Sequence, residues 1–189
     1  MIHSAIGLLA TQLNQHLRHR HSASEDVAVV SNLLEAGGTA VTGATNKLVF
    51  FLGGLDREIT QGARNHGRGG DRLAAPEPIH LNLLLVCAAN FSGSQYPQAL
   101  RYLSETISFF QGRPVFDHQN APGLDERIER LVLAMENLSP SDVHSLWSLQ
   151  GGRYLPAVHY RIRLIGFGGD TIQRRVPRVA DVDAQAQPG

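Results

Sequence analysis

Apolar residues recur along this chain in two rhythms. Ile2, Ile6, Leu9, Leu13 and Leu17 are spaced four, three, four and four apart, which sets them on one stripe and predicts a helix over 2–18. Gln12, Gln15, His16 and Arg18 fill its other side, and the helix fades through Arg20 and His21. Tyr96, Leu100, Leu103, Ile107 and Phe110 predict a second helix over 96–110. Pro97 suits its first turn, and Gly112 and Pro114 stop it. A third helix opens at Ser139-Pro140-Ser141-Asp142. Ser139 is the N-cap, Pro140 the first helical residue, and Asp142 the reciprocal partner of a capping box. Leu138 staples against Val143, Leu146 and Trp147 pack inward, and Gly151-Gly152 ends the helix.

The second rhythm has period two. It is clearest in Tyr154 to Ile165, where Val158, Tyr160, Ile162 and Leu164 share one face and His159, Arg161 and Arg163 the other. Asn46 to Leu52 places Leu48, Phe50 and Leu52 on one face and Val49 and Phe51 on the other, so both faces are covered. Gly53-Gly54 interrupts or bulges this strand, and residues 55–59 continue it. Ile79 to Ala89 is the most apolar run and reads as a central strand. Shorter strands fall at Val27 to Val30 and Val115-Phe116. Leu131 to Met135 is read as a strand against a competing helical propensity, because Asn137-Leu138-Ser139 separates it from the helix that follows.

These elements define an α/β fold of the α+β-like kind. A single domain over 1–172 contains a mixed, mostly antiparallel sheet flanked by about three helices. Residues 60–77 form a long connection, a length that points to function or mobility. After Ile172 the periodicity stops, and 173–189 read as a flexible tail.

Charge narrows the function classes. The 189 residues carry 17 basic and 17 acidic side chains, a net charge of zero, which disfavours a general nucleic-acid binder. No apolar stretch is long enough to span a bilayer, and the N-terminus lacks the pattern of a signal peptide, so synthesis in the cytoplasm is expected. Cys87 is the single cysteine and lies inside an apolar run, where it reads as a buried structural thiol.

No catalytic signature stands out. Gly67-Arg68-Gly69-Gly70 lacks the dinucleotide fingerprint and the ending of a phosphate loop. His16, His19 and His21 cluster without a Cys or carboxylate at a familiar metal spacing. No serine occupies a nucleophile elbow, and Asp125, Glu126 and Glu129 read as a solvated segment beside Arg127 and Arg130. Neither a metal nor a cofactor is expected. The candidate recognition residues are Arg64, Asn65, His66 and Arg68 in the long connection, with Tyr154, His159, Arg161 and Arg163 in the last strand segment. Arginine there suits bidentate contacts to carboxylates, either of a neighbouring subunit or left to water.

Several of these segments together resemble a known family. They are the N-terminal helix, Asn46 to Leu52, Arg64-Asn65, Pro78 to Ala89, Leu131 to Leu138, Ser139 to Trp147, and above all Tyr154-Leu155-Pro156-Ala157-Val158-His159-Tyr160-Arg161-Ile162-Arg163. Over roughly Met1 to Ile172 the chain resembles the tail-terminator, or cap, proteins of phage-tail-like contractile injection systems of the Photorhabdus virulence cassette and antifeeding-prophage type. Family members usually carry a small residue, often Ser, where this chain has Ala157. The resemblance implies a non-enzymatic protein that forms a six-subunit ring, binds the inner tube protein and the sheath protein, and stops their growth. It implies assembly in the cytoplasm and incorporation into an intracellular or released particle. It supplies no catalytic residue. A baseplate or tube-initiation adaptor is the alternative within the same class. A small hydrolase with an unfamiliar site is the alternative outside it and requires a clustered His/Asp/Ser pocket.

Overall fold

One six-stranded sheet organises the computed structural model, which describes residues 1–21, 25–58 and 80–166. In chain order the elements are α1 (Ile2–His21), β1 (Ala28–Val30), β2 (Lys47–Arg57), β3 (His80–Asn90), α2 (Tyr96–Gly112), β4 (Val115–Asp117), β5 (Ile128–Met135), α3 (Pro140–Leu149) and β6 (Ala157–Gly166). The strand order is β1-β2-β3-β6-β5-β4. β1 runs parallel to β2, and every other neighbouring pair is antiparallel. The mixed, mostly antiparallel sheet with three flanking helices is the architecture expected from the two rhythms. The expected boundary at residue 172 and the tail lie outside the described residues.

The sheet buries two unequal cores. On one face, Leu48, Phe50, Leu85, Cys87, Leu131, Tyr160, Ile162 and Leu164 pack under α1 and α2. Phe110 of α2 anchors this core, with its ring 5.2 Å from that of Tyr160 and 6.3 Å from that of Phe50. On the other face, Val49, Phe51, Val86 and Ala88 pack under Leu146 and Trp147 of α3 and under Leu33 and Ala44 of the β1–β2 connection. β2 and β3 are therefore covered on both sides at this end, as their unbroken apolar runs require. Gly53 gives the expected bulge, since the β2–β3 register shifts between Leu52 and Gly54. A Cβ there would lie 3.0 Å from Val86 Cγ2 and 3.5 Å from Leu146 Cδ1, so its absence lets β3 and α3 close on the bulge.

Local details depart from the sequence pattern in informative ways. α1 runs to His21, where the sequence has it fade. Its last turn carries Arg18, His19, Arg20 and His21, which suits the negative end of the helix dipole. Glu105 of α2 lies 3.5 Å from His16, Arg20 and His21. The buried stripe of α2 is Ala99, Leu103, Thr106 and Phe110, whereas Tyr96 and Leu100 are exposed. β6 begins at Ala157, later than the expected start at Tyr154. The capping box of α3 is formed: Ser139 Oγ accepts from the Asp142 backbone N–H at 3.2 Å, and Asp142 Oδ2 accepts from the Ser139 backbone N–H at 3.3 Å. Cys87 is buried, and burial pushes its thiol far above the ordinary range.

Asn14 ties α1 to the edge of the sheet. It is buried, its Oδ1 accepts from the backbone N–H groups of Val27 and Ala28 at 3.0 and 2.8 Å, and its Nδ2 donates to the Ala28 carbonyl at 2.8 Å. Asn14→Ala orphans two buried donors and is expected to lower stability by about 2–4 kcal/mol. Urea denaturation checks this, and a loss below about 1 kcal/mol would contradict the assigned role. Tyr160→Asp removes the ring against Phe110 and buries a carboxylate in its place. Its expected cost is about 3–5 kcal/mol or more, read as loss of the cooperative thermal transition.

Candidate interface

The two faces of β6 differ because β6 crosses the limit of α3. Toward α1 and α2, Val158, Tyr160, Ile162 and Leu164 are all buried. On the opposite face, Ala157 packs at the margin of the α3 cluster, His159 is half-buried, and Arg161 and Arg163 emerge where α3 no longer covers the sheet. The register carries this face across the neighbouring strands. Arg161 stands between Leu84 of β3 and Ala134 of β5, and Arg163 between Asn82 and Val132. Asp56 of β2 pairs with Asn82 in the same row.

Both arginines are already engaged within the chain. Arg161 clasps Glu136 with two parallel bonds, Nε to Oε2 at 2.8 Å and Nη2 to Oε1 at 2.9 Å. The Arg161 guanidinium holds the Glu136 carboxyl below its ordinary value. Arg163 Nε donates to Glu58 Oε2 at 2.6 Å, beyond the intervening strand β3. Glu58 is placed for this by its own backbone N–H, which donates to the His80 carbonyl at 2.9 Å. Both arginines are near half exposed, so their outer edges meet solvent while their inner edges meet carboxylate. The surface is thus an ordered array of ion pairs rather than a bare cationic patch. Exposed pairs of this kind contribute little to stability, roughly 0–1 kcal/mol each, but they fix the orientation of the guanidinium planes.

His159 does not add to the charge. Burial lowers its pKa from the ordinary value, so the imidazole is neutral at pH 7. Its backbone carbonyl instead accepts the Glu136 N–H at 2.8 Å, which sets the carboxylate beside Arg161. Glu136 and Glu58 were not among the sequence candidates. Their only signal is the strand order, because neither lies near its arginine in the sequence.

Tyr154 belongs to a different surface. It precedes β6, is 67% exposed, and stands edge-on to Trp147 with ring centroids 5.7 Å apart. The structure therefore groups His159, Arg161 and Arg163 and sets Tyr154 apart against α3. Arg64, Asn65, His66 and Arg68 lie outside the described residues. Among the described residues, no group of three or more His, Cys, Asp or Glu side chains is arranged to hold a metal ion. No described helix is long and apolar enough to cross a membrane.

Comparisons with known proteins follow the same lines as the motifs. A search of curated proteins returned no match. Among solved structures, the whole chain superposes on the sheath/tube terminator of PVC, an extracellular contractile injection system, determined by cryo-EM in the extended state. The TM-score is 0.57 at 15% sequence identity, a likeness of fold. The chain spans 64% of that protein's length. The family model described as the Pvc16 N-terminal domain matches residues 6–181. The tail-terminator resemblance read from the Tyr154 to Arg163 segment and its neighbours therefore holds, and the chain belongs to the Pvc16 N-terminal domain family.

Proposed function

We propose that this chain is a structural tail terminator that caps the inner tube and sheath of a contractile injection particle and stops their polymerisation. The observation that carries this reading is the family match over residues 6–181, joined to a fold shared with a sheath/tube terminator. The chain acts as a six-subunit ring that assembles in the cytoplasm and ends its life as part of the particle. A closed ring needs two unlike surfaces on each subunit, repeated head to tail. The sheet offers unlike edges, β1 at one end and β4 at the other, with exposed Val30 and Val115 respectively. The outer face of β6 offers a third surface, in which Arg161 and Arg163 present guanidinium edges already aligned by Glu136 and Glu58. Arg64, Asn65, His66 and Arg68 belong to the same recognition role, as contacts to tube, sheath or the next subunit.

Particles made without this protein are expected to have tubes and sheaths of uncontrolled length, or to be scarce, when measured by negative-stain microscopy. Normal lengths at normal yield would sink the terminator assignment. A labelled copy found at the baseplate end would transfer the protein to the initiation role. The arginine face is tested by a charge swap. Arg161→Glu is expected to weaken ring or particle assembly while leaving the monomer folded. Adding Glu136→Arg restores an internal ion pair of opposite polarity, and an interface role predicts that assembly stays impaired. Full recovery in the double variant would show that Arg161 serves only its own chain.

A further inference from the structure

We propose that the open edge of β2 binds residues 171–176 of the same chain as an added strand. β1 pairs only with Leu48, Val49 and Phe50, and the Ser31 N–H donates to the Phe50 carbonyl at 3.2 Å. β2 continues to Arg57, so residues 52–57 have no neighbour on that side among the described residues. On the β3 side, the Glu58 N–H donates to the His80 carbonyl at 2.9 Å. Backbone groups alternate in direction along a strand, so those of Leu55 and Arg57 point to the open side.

The side chains make the same edge a binding surface. Leu52 is 39% exposed and Leu55 49%. Both stand in register with buried residues of β3, Leu85 and Leu83, on the face packed under α1 and α2. On the other face Asp56 pairs with Asn82, and its carboxylate makes no hydrogen bond or ion pair with a described residue. A free ladder edge flanked by two leucines and an acid fits an extended segment that is apolar on one face and cationic on the other.

Residues 171–176 lie beyond the described ones, and three observations point to them. The first is position. Ile165 pairs with His80 and β6 ends at Gly166, so the chain leaves the sheet at the Arg57 end of β2. The far side of β2 is three strand spacings away, about 14 Å. The steps from Gly166 to Thr171 reach up to about 17 Å. β6 runs in the same direction as β2, because both are antiparallel to β3. A chain that turns back after β6 therefore meets β2 antiparallel.

The second is composition. Thr171-Ile172-Gln173-Arg174-Arg175-Val176 is a strand-forming run bounded by Gly168-Gly169 and Pro177. Its alternation gives Ile172 and Val176 to the face of Leu52 and Leu55, and Gln173 and Arg175 to the face of Asp56. Arg174 falls on the leucine face, where its stem covers apolar surface and its guanidinium reaches water. Residues 60–70 leave β2 at the same end, but Gly62, Asn65, Gly67, Gly69 and Gly70 are poor strand formers. The third is extent: the family match runs to residue 181, so residues 171–176 fall inside the family domain. A second copy of the chain carries the same segment, but the short reach from Gly166 gives the chain's own copy the higher effective concentration. The inference does not depend on the terminator reading, and its test needs no particle.

Residue-resolved NMR on the full chain tests it. Cross-strand backbone NOEs are expected between residues 52–57 and 171–176, and the Leu55 and Arg57 amides are expected to exchange slowly. Gln173→Pro combined with Arg174→Pro removes a donor in whichever register the added strand takes. The double variant is expected to speed exchange at Leu55 or Arg57 by at least about tenfold, the change that follows loss of one paired backbone bond. Unchanged exchange in β3 and β6 shows that the rest of the sheet is intact. Absence of NOEs between the two segments, free exchange of both amides in the parent, or unaltered protection in the double variant overturns the inference. NOEs from residues 60–70 to this edge assign it to that connection, and protection that falls on dilution assigns it to a second copy; either result equally overturns it.

Discussion

The ladder between β3 and β6 is the contact on which the rest of the fold depends. Nine residue pairs, from His80↔Ile165 to Ala88↔Ala157, join β1-β2-β3 to β6-β5-β4. Neither half would make a stable sheet alone, since each would show an unpaired apolar edge to water. The ladder also aligns the buried residues of both halves. Cys87, Leu85 and Leu83 come opposite Val158, Tyr160 and Ile162, and together they form the floor on which α1 and α2 rest. Because side chains alternate across a strand, the same register fixes which residues of β6 reach the opposite surface. A slip by one residue would bury Arg161 and Arg163 and expose Tyr160 and Ile162.

The recognition surfaces follow from how far each helix extends over the sheet. α3 and the β1–β2 connection cover one end of the second face, where Phe51, Val86 and Ala88 lie. Beyond that cover the outward row carries Arg161 and Arg163 among Leu84, Ala134, Asn82 and Val132, and the arginines are aligned by carboxylates on flanking segments. The cost is small because the groups stay hydrated at their outer edges. The gain is geometric: two guanidinium planes are held in place before any partner arrives.

Much of this was legible in the residues. The period of two placed all four inward residues of β6, and the bulge at Gly53, the capping box at Ser139 and the central position of β3 were read from local chemistry alone. The second helix shows where that reading runs short. Tyr96 and Leu100 fit one stripe with Leu103, Ile107 and Phe110 by spacing, yet the buried stripe keeps Leu103 and Phe110, adds Ala99 and Thr106, and leaves Tyr96 and Leu100 exposed. Asn14 looked like one more polar break in an apolar stripe. Its burial makes sense only once β1 is beside it, and that contact spans a separation of 14 residues. The same holds more strongly for Glu58 and Arg163, which are 105 residues apart. Periodicity records which face of an element is buried. It does not record which element will lie alongside, and every missed partner here is of that second kind.

The place of β6 has a consequence for biosynthesis. It is the last described strand in the sequence, yet it occupies the middle of the sheet, between β3 and β5. Until residue 166 clears the ribosome, β3 has its most apolar edge open and β5 has no inner neighbour. At synthesis rates of about 5–20 residues per second, that interval lasts several seconds from the emergence of β3. A nascent chain in that state resembles an edge-exposed sheet, the form most prone to pairing with the wrong partner. Ribosome pausing or truncation just before β6 would therefore release an aggregation-prone fragment, whereas loss of residues after it would leave the ladder complete.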